Sequence, residues 1–347
     1  MNSEKLNKIN INFIVGLGRS GTTLLVVLLN QYDNCIATPE IHHFIHFYKK
    51  YKNIDYVSQE LIDDYKDYIN RYFQYKKNPL IGPSNSTLID SLEIGQKINY
   101  SQLTKLIYLG LFGQKGINNN INVIVDKNPY YTLEINKILK IFPDAKLLAL
   151  IRDPRGYVLS NIQSKRLSVS KKDNAYHAFV WRLFMKKIVQ AKKLHDSNIK
   201  IIRYEDIALE KEKTLKEITN YFNLEYSESI FNFNDSIKEK INSIKQDERN
   251  YERMHKKLKD LSSPINSERV HAWKNDLTKN EIEQIEFIAG SLGNNYNYFN
   301  QTHISYLKKI SILISSIISF IKVKVFETLK SPELHIYHNY KIKNAKK

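Results

Sequence analysis

The chain has little cysteine. Cys35 is the only one in 347 residues, so no intrachain disulfide can form, which fits a reducing cytoplasm. The stretch from Met1 to Asn10 is polar and charged, with no apolar h-region. Neither a secretory signal nor an N-terminal anchor is therefore expected. No run of about 18 consecutive apolar residues occurs, so no transmembrane helix is expected. Metal-binding spacing is also lacking. His42 and His46 are four residues apart, but no glutamate completes an H-E-x-x-H pattern, and no metal is expected. Acidic residues number 36 against 53 basic ones, a net charge of +17. That excess favours anionic partners. The lysines are spread along the whole length, however, which describes a solvated basic surface, and no nucleic-acid partner is expected. The rest of the composition, 42% hydrophobic and 26% charged, is that of a globular protein. The length suits one large α/β domain or two smaller ones.

The most informative stretch runs from Ile11 to Leu29. Residues 11–15 are apolar and rich in β-branched side chains, which predicts a short buried strand. Gly16, Gly18 and Gly21 follow as a glycine-rich turn, and the apolar run from Thr22 predicts a buried helix. Strand, glycine turn and helix is the setting of a phosphate-binding P-loop. The N–H groups of the turn converge, and the helix N-terminus adds positive potential. Gly16 and Gly21 fit the spacing of G-x-x-x-x-G-K-[ST], but Thr22 takes the position of the lysine and the cation sits inside the loop as Arg19. The group that reaches the β- and γ-phosphates is thus missing. Arg19, Ser20, Gly21, Thr22 and Thr23 form a cradle for one 5′-phosphate-like group.

The run Arg19-Ser20-Gly21-Thr22-Thr23-Leu24 resembles the 5′-phosphosulfate loop of sulfotransferases that use 3′-phosphoadenosine 5′-phosphosulfate (PAPS). It looks most like the tyrosylprotein and glycan branch of that family. A second motif adds specificity. Residues 146–151 predict a buried strand, Arg152 caps its end, Pro154 opens a helix, and Ser160 lies about two turns on. A guanidinium with a hydroxyl suits a dianionic phosphate. Arg152-Asp153-Pro154-Arg155 with Ser160 resembles the 3′-phosphate site of the family. Two positions depart from the pattern. Ser164 stands where the branch has an arginine, with Lys165 and Arg166 as substitutes. Ala272 stands where a lysine often precedes the late tryptophan, here Trp273, with Arg269 and Lys274 beside it.

The resemblance also implies a chemistry. Glu40 follows Arg19 by 21 residues, and a second parallel strand would return it to the ligand edge of the sheet. The tyrosylprotein branch has a catalytic glutamate in a similar place, so Glu40 is the expected general base. Its plainer reading is a first-turn glutamate of the next helix. Strand 121–125 leads into Asp126-Lys127-Asn128-Pro129, which resembles the D-K-x-P segment whose lysine contacts the transferring sulfuryl group. Lys127 would oppose charge on the bridging oxygen as the S–O bond breaks; its plainer reading is a salt bridge. Asp126 is kept as a Mg²⁺ ligand for a kinase alternative. Strand 199–203 ends in Arg203-Tyr204-Glu205-Asp206, resembling the Y-E-D segment of the family, where Tyr204 either borders the nucleotide or packs. Ser262 to Trp273 resembles a late loop closing over the donor.

Helices are expected near 22–31, 57–76, 100–113, 131–141, 174–195, 208–222 and 279–291. Turns are expected at 78–87 and 118–120, and a charged helical segment at 232–260. The implied fold class is α/β, a three-layer P-loop-type parallel sheet flanked by helices. Residues 10–300 form the sulfotransferase-like domain, with 47–120 as a helical insertion on the acceptor side. Residues 304–347 form a basic amphipathic tail. In it Ile310, Leu313, Ile314, Ile317, Ile318, Ile321 and Val325 recur at helical spacing, with serines opposite. That stripe reads as a core-packing or oligomer helix, or more sharply as an in-plane membrane helix with Lys322, Lys324 and the basic end Lys341 to Lys347. The expected activity is sulfuryl transfer from PAPS to the hydroxyl of a glycan or glycolipid. A peptide tyrosine is the next acceptor to consider. The rivals are a P-loop kinase and a nucleic-acid-binding protein. The expected place is cytoplasmic, with peripheral membrane contact through the tail.

Overall fold

Five strands are built from runs that are apolar on both faces: β1 (Asn10–Gly16), β2 (Cys35–Thr38), β3 (Val123–Lys127), β4 (Leu147–Ile151) and β5 (Ile199–Arg203). Every pairing is parallel and the strand order is β2-β3-β1-β4-β5. Parallel strands covered on both faces read as continuous apolar runs, as β4 (Leu-Leu-Ala-Leu-Ile) does. Alternate residues feed two separate cores. Phe13, Val15, Leu147, Ala149 and Ile151 enter one; Ile14, Val125, Leu148 and Leu150 enter the other. The computed structural model describes residues 3–38, 40–41, 43–75, 92–111, 121–164, 173–231, 267–299 and 305–330. The expected turns at 78–87 and 118–120, the segment 232–260, residues 262–266, His42, Lys165, Arg166 and the basic end 341–347 lie outside the described residues.

In chain order the helices of six or more residues are α1 (Ser3–Lys8), α2 (Thr22–Leu29), α3 (His43–Tyr51), α4 (Gln59–Tyr75), α5 (Tyr100–Leu111), α6 (Ile135–Ile141) and α7 (Pro154–Ile162). They continue with α8 (Asn174–Leu194), α9 (Tyr204–Leu209), α10 (Lys211–Tyr221), α11 (Lys279–Ala289) and α12 (Tyr306–Lys330). Helices α2, α9 and α10 cover the Ile14 face; α3 to α8 and α11 cover the Phe13 face. This is the expected three-layer sandwich. The helices between residues 43 and 111 are welded to it. Phe44 lies 5.5 Å from Phe13, Phe47 stacks on Tyr65 at 4.0 Å, and the Tyr100 hydroxyl donates to the Phe44 carbonyl.

Local chemistry sets the boundaries. Asp153 accepts from the Arg155 N–H with Pro154 at the first helical position, so α7 starts there. Asp173 caps α8 and a Thr278–Glu281 capping box opens α11. The expected helix 131–141 is divided instead. The Asn128 side chain accepts from the Tyr130 N–H and starts a 3₁₀ turn over Pro129–Leu133 before α6. The expected helix 208–222 likewise breaks at Glu210 into α9 and α10. The tail departs from the core-packing expectation. Helix α12 rests on α8 and α11, yet its only buried apolar side chain among those described is Ile312, while Leu313, Ile314, Ile317, Ile318 and Ile321 are exposed.

Candidate active site

Because β1 is flanked by β3 and β4, the loops leaving these three strands meet at one C-terminal edge, the usual ligand edge of open α/β sheets. The glycine loop sits there. Gly16 has φ 108°, and a Cβ on it would lie 2.1 Å from the Leu150 carbonyl oxygen, so the loop root and β4 approach too closely for any side chain. The Thr132 hydroxyl accepts the Gly16 N–H at 2.7 Å and donates to the Gly16 carbonyl at 3.2 Å. Gly21 has φ 80°, and a Cβ there would press on the Tyr204 ring at 3.1 Å. Arg19 is held in the left-handed region at φ 66°, a conformation that non-glycine residues adopt at functional sites when their surroundings enforce it. Helix α2 then begins with no side-chain cap, which leaves its first N–H groups available to an anion.

Arg152 and Arg19 are joined. Arg152 Nη1 donates to the Arg19 carbonyl at 2.8 Å and Nη2 to the Arg269 carbonyl at 3.2 Å. The guanidinium lies 4.4 Å over the Tyr204 ring, and burial lowers its pKa from the ordinary arginine value. Arg19 Nε donates to Ser160 Oγ at 3.2 Å. Arg19, Arg152, Ser160 and Tyr204 therefore form one cluster, to which Arg269 contributes its carbonyl. Two buried atoms in this cradle, Ser20 Oγ and Arg152 Nε, have no hydrogen-bond partner. Leaving such groups unmet costs about 1–3 kcal/mol each, which the oxygens of a phosphate could offset. These residues fit the two phosphates of an adenosine 3′,5′-bisphosphate moiety.

Glu40 and Lys127 meet across 87 residues of sequence. Lys127 Nζ donates to Glu40 Oε1 at 2.9 Å; the lysine side chain is 3% exposed and the glutamate 46%. Lys127 lies within β3 rather than after it. Glu40 precedes α3 rather than standing in its first turn, and Lys127 makes the salt bridge of its plainer reading. Asp126, kept above as a Mg²⁺ ligand for a kinase, is placed otherwise. Its carboxyl is fully buried, accepts from Thr38 at 2.9 Å and from the Tyr108 hydroxyl, and burial pushes it up to about 7. It is committed to the core. Of the histidines, His43 is buried edge-on to Tyr108 and His46 lies against Tyr68.

Sequence reasoning did not assign Arg155. Its guanidinium binds both Asp153 oxygens, pairs with Glu286 at 2.7 Å and lies 3.7 Å over Trp273. The second arginine of the motif therefore ties α7, α11 and the late tryptophan together. Trp273 is fixed four residues from Arg269, whose carbonyl holds Arg152. Glu205 is a second such joint: its Oε1 accepts the Asp153 N–H at 3.0 Å, and burial raises its pKa.

A parallel 2-3-1-4-5 sheet with a glycine loop after β1 and a buried arginine after β4 is a P-loop-type α/β fold. The particular family follows from comparison. Residues 12–228 match the Sulfotransferase family, and the chain belongs to it. Two curated relatives carry the name "Putative protein-tyrosine sulfotransferase". The chain is 21% identical over 169 residues to the one from Caenorhabditis briggsae, covering 48% of this chain. It is 22% identical over 173 residues to the one from Caenorhabditis elegans, covering 49% of this chain. These matches span 57% and 63% of the relatives' own lengths. Among solved structures, the sulfotransferase domain from the curacin biosynthetic pathway has the same fold. Its TM-score is 0.54 at 18% identity, over 84% of this chain and 99% of that one.

Proposed function

We propose that this protein transfers a sulfuryl group from PAPS to an acceptor hydroxyl, with a glycan or glycolipid as the acceptor class. The observation that carries the reading is one sheet edge bearing the arginine-containing glycine loop, the buried Arg152 with an unused Nε, and the Glu40–Lys127 pair. Arg19, Ser20, Gly21, Thr22 and Thr23 would hold the 5′ end of the donor. Arg152 and Ser160 would hold its 3′-phosphate. When bound, the donor supplies a sulfur atom that bonds to the acceptor oxygen as its bond to the 5′-phosphate oxygen breaks. Glu40 takes the hydroxyl proton. Lys127 and Arg19 oppose the charge on the departing phosphate oxygen, more effectively because Lys127 is shielded from water. Tyr130, three residues beyond Lys127, is 64% exposed, and such an aromatic face suits the apolar face of a sugar ring.

The test is transfer of sulfur-35 from labelled PAPS by the full chain to a panel of glycans, glycolipids and tyrosine peptides. Label on sugar hydroxyls is expected. Label on peptide tyrosine would select the second reading, which the names of the curated relatives favour. No label on any acceptor, together with γ-phosphate transfer from ATP, would overturn the proposal.

A further inference from the structure

We infer that α12 seats this protein in the plane of an anionic lipid bilayer, a conclusion independent of the transfer reaction. The helix is inverted relative to one that packs into a core. The side facing the protein is mostly polar: beside Ile312, Ser316 is 1% exposed, Ser315 Oγ meets Gln284 at 3.3 Å, and Lys308 pairs with Glu283 and reaches Asn280. Its apolar side faces outward. Leu307, Ile310, Ile314, Ile317, Ile318 and Ile321 are all between 38% and 79% exposed. With Leu313, also exposed, they fall at about 100° per residue within an arc of roughly 140° on one side of the helix. A contiguous aliphatic stripe of this kind is a liability in water and marks a docking face.

The charge on the same segment selects the occupant. Residues 305–347 contain nine lysines and two glutamates. Lys309 is exposed on the helix, and Lys322 and Lys324 follow in sequence. A second copy seated on the stripe would bring two strongly basic segments into one interface. A bilayer with anionic headgroups instead neutralises them, at about 1 kcal/mol for each lysine near the surface. Among the described residues no helix is long and apolar enough to cross a membrane. The geometry is that of an amphipathic helix lying with its apolar face at the boundary between headgroups and acyl chains.

The experiment is co-sedimentation of the full chain with phosphatidylcholine vesicles, with and without phosphatidylserine. It compares the wild type with the double variant Ile314→Glu/Ile317→Glu. Both positions are exposed, so the variant is expected to keep the wild-type melting temperature and bisphosphate binding. The wild type should bind the phosphatidylserine vesicles, and less at high salt. The double variant should lose about tenfold or more in the bound-to-free ratio. Failure of the wild type to bind anionic vesicles would overturn the inference, as would a variant that binds like the wild type. A dimer in light scattering that the double variant dissolves, without vesicle binding, would give the stripe to a second copy.

Discussion

Replacing Glu40 by glutamine isolates proton transfer from every other role of the site. The amide oxygen still accepts from Lys127 Nζ, now 2.9 Å from Glu40 Oε1, but it cannot take a proton at neutral pH. If Glu40 is the base, kcat should fall by about 10²–10⁴-fold, the usual worth of positioned base catalysis. Stability should change little. The amide keeps a hydrogen-bond acceptor for the buried Lys127 Nζ, and Glu40 itself is 46% exposed. Donor affinity should also hold, since Arg152, Ser160 and the glycine loop are untouched. Lys127→Met removes the charge while roughly keeping the volume, and should lower kcat by about 10²–10³-fold. Two groups in contact act as a unit, so the double variant should lose less than the product of the two single losses. The assay is single-turnover transfer of sulfur-35, with displacement of adenosine 3′,5′-bisphosphate as the binding control. Near-full turnover by Glu40→Gln with bisphosphate binding intact would refute the assignment of Glu40. Multiplicative losses in the double variant would refute the coupling.

Three further outcomes are expected. Adenosine 3′,5′-bisphosphate at about 100 times its Kd should stabilise the fold by about 2.7 kcal/mol, and AMP at the same concentration by much less; equal shifts in thermal melts would remove the 3′-phosphate role of Arg152 and Ser160. Asp126, pushed up to about 7 by burial, favours folding in its protonated form. That contribution is full below the unfolded carboxyl value and is lost as pH rises through about 7. Asp126→Asn should therefore flatten the loss of melting temperature between about pH 5 and pH 8, and parallel profiles for the two proteins would exclude the effect. Gly16→Ala places a Cβ 2.1 Å from the Leu150 carbonyl oxygen, a clash with backbone that cannot turn aside; soluble protein with wild-type melting would show that the loop root is looser than described.

The sheet was legible because its strands are local and strongly patterned. The run 199–203 matches β5 residue for residue, and 146–151 matches β4 to within one residue. Arg152 and Ser160 could be picked out together because strand β4 and helix α7 carry them; in the structure each meets Arg19 rather than the other. What sequence could not show lies in contacts between distant residues. The meeting of Lys127 with Glu40 and the burial of Asp126 between Thr38 and Tyr108 leave no periodic trace. Neither does the binding of Arg155 to Glu286, 131 residues away. The apolar pattern of α12 was visible, but which side faces the protein depends on Gln284 and Glu283 of α11.

The grip of Thr132 on both backbone groups of Gly16 has a consequence for how such a protein can diversify. It fastens the root of the loop to the segment that carries Lys127, and Leu150 closes on the other side. The root of the loop is thus a fixed anvil, made of main chain and one hydroxyl. Surface residues of α3 to α5 and of the Tyr130 turn can change size and polarity without moving that anvil. If the proposed function holds, a new acceptor could be met by resurfacing these helices while the loop that holds the donor keeps its alignment.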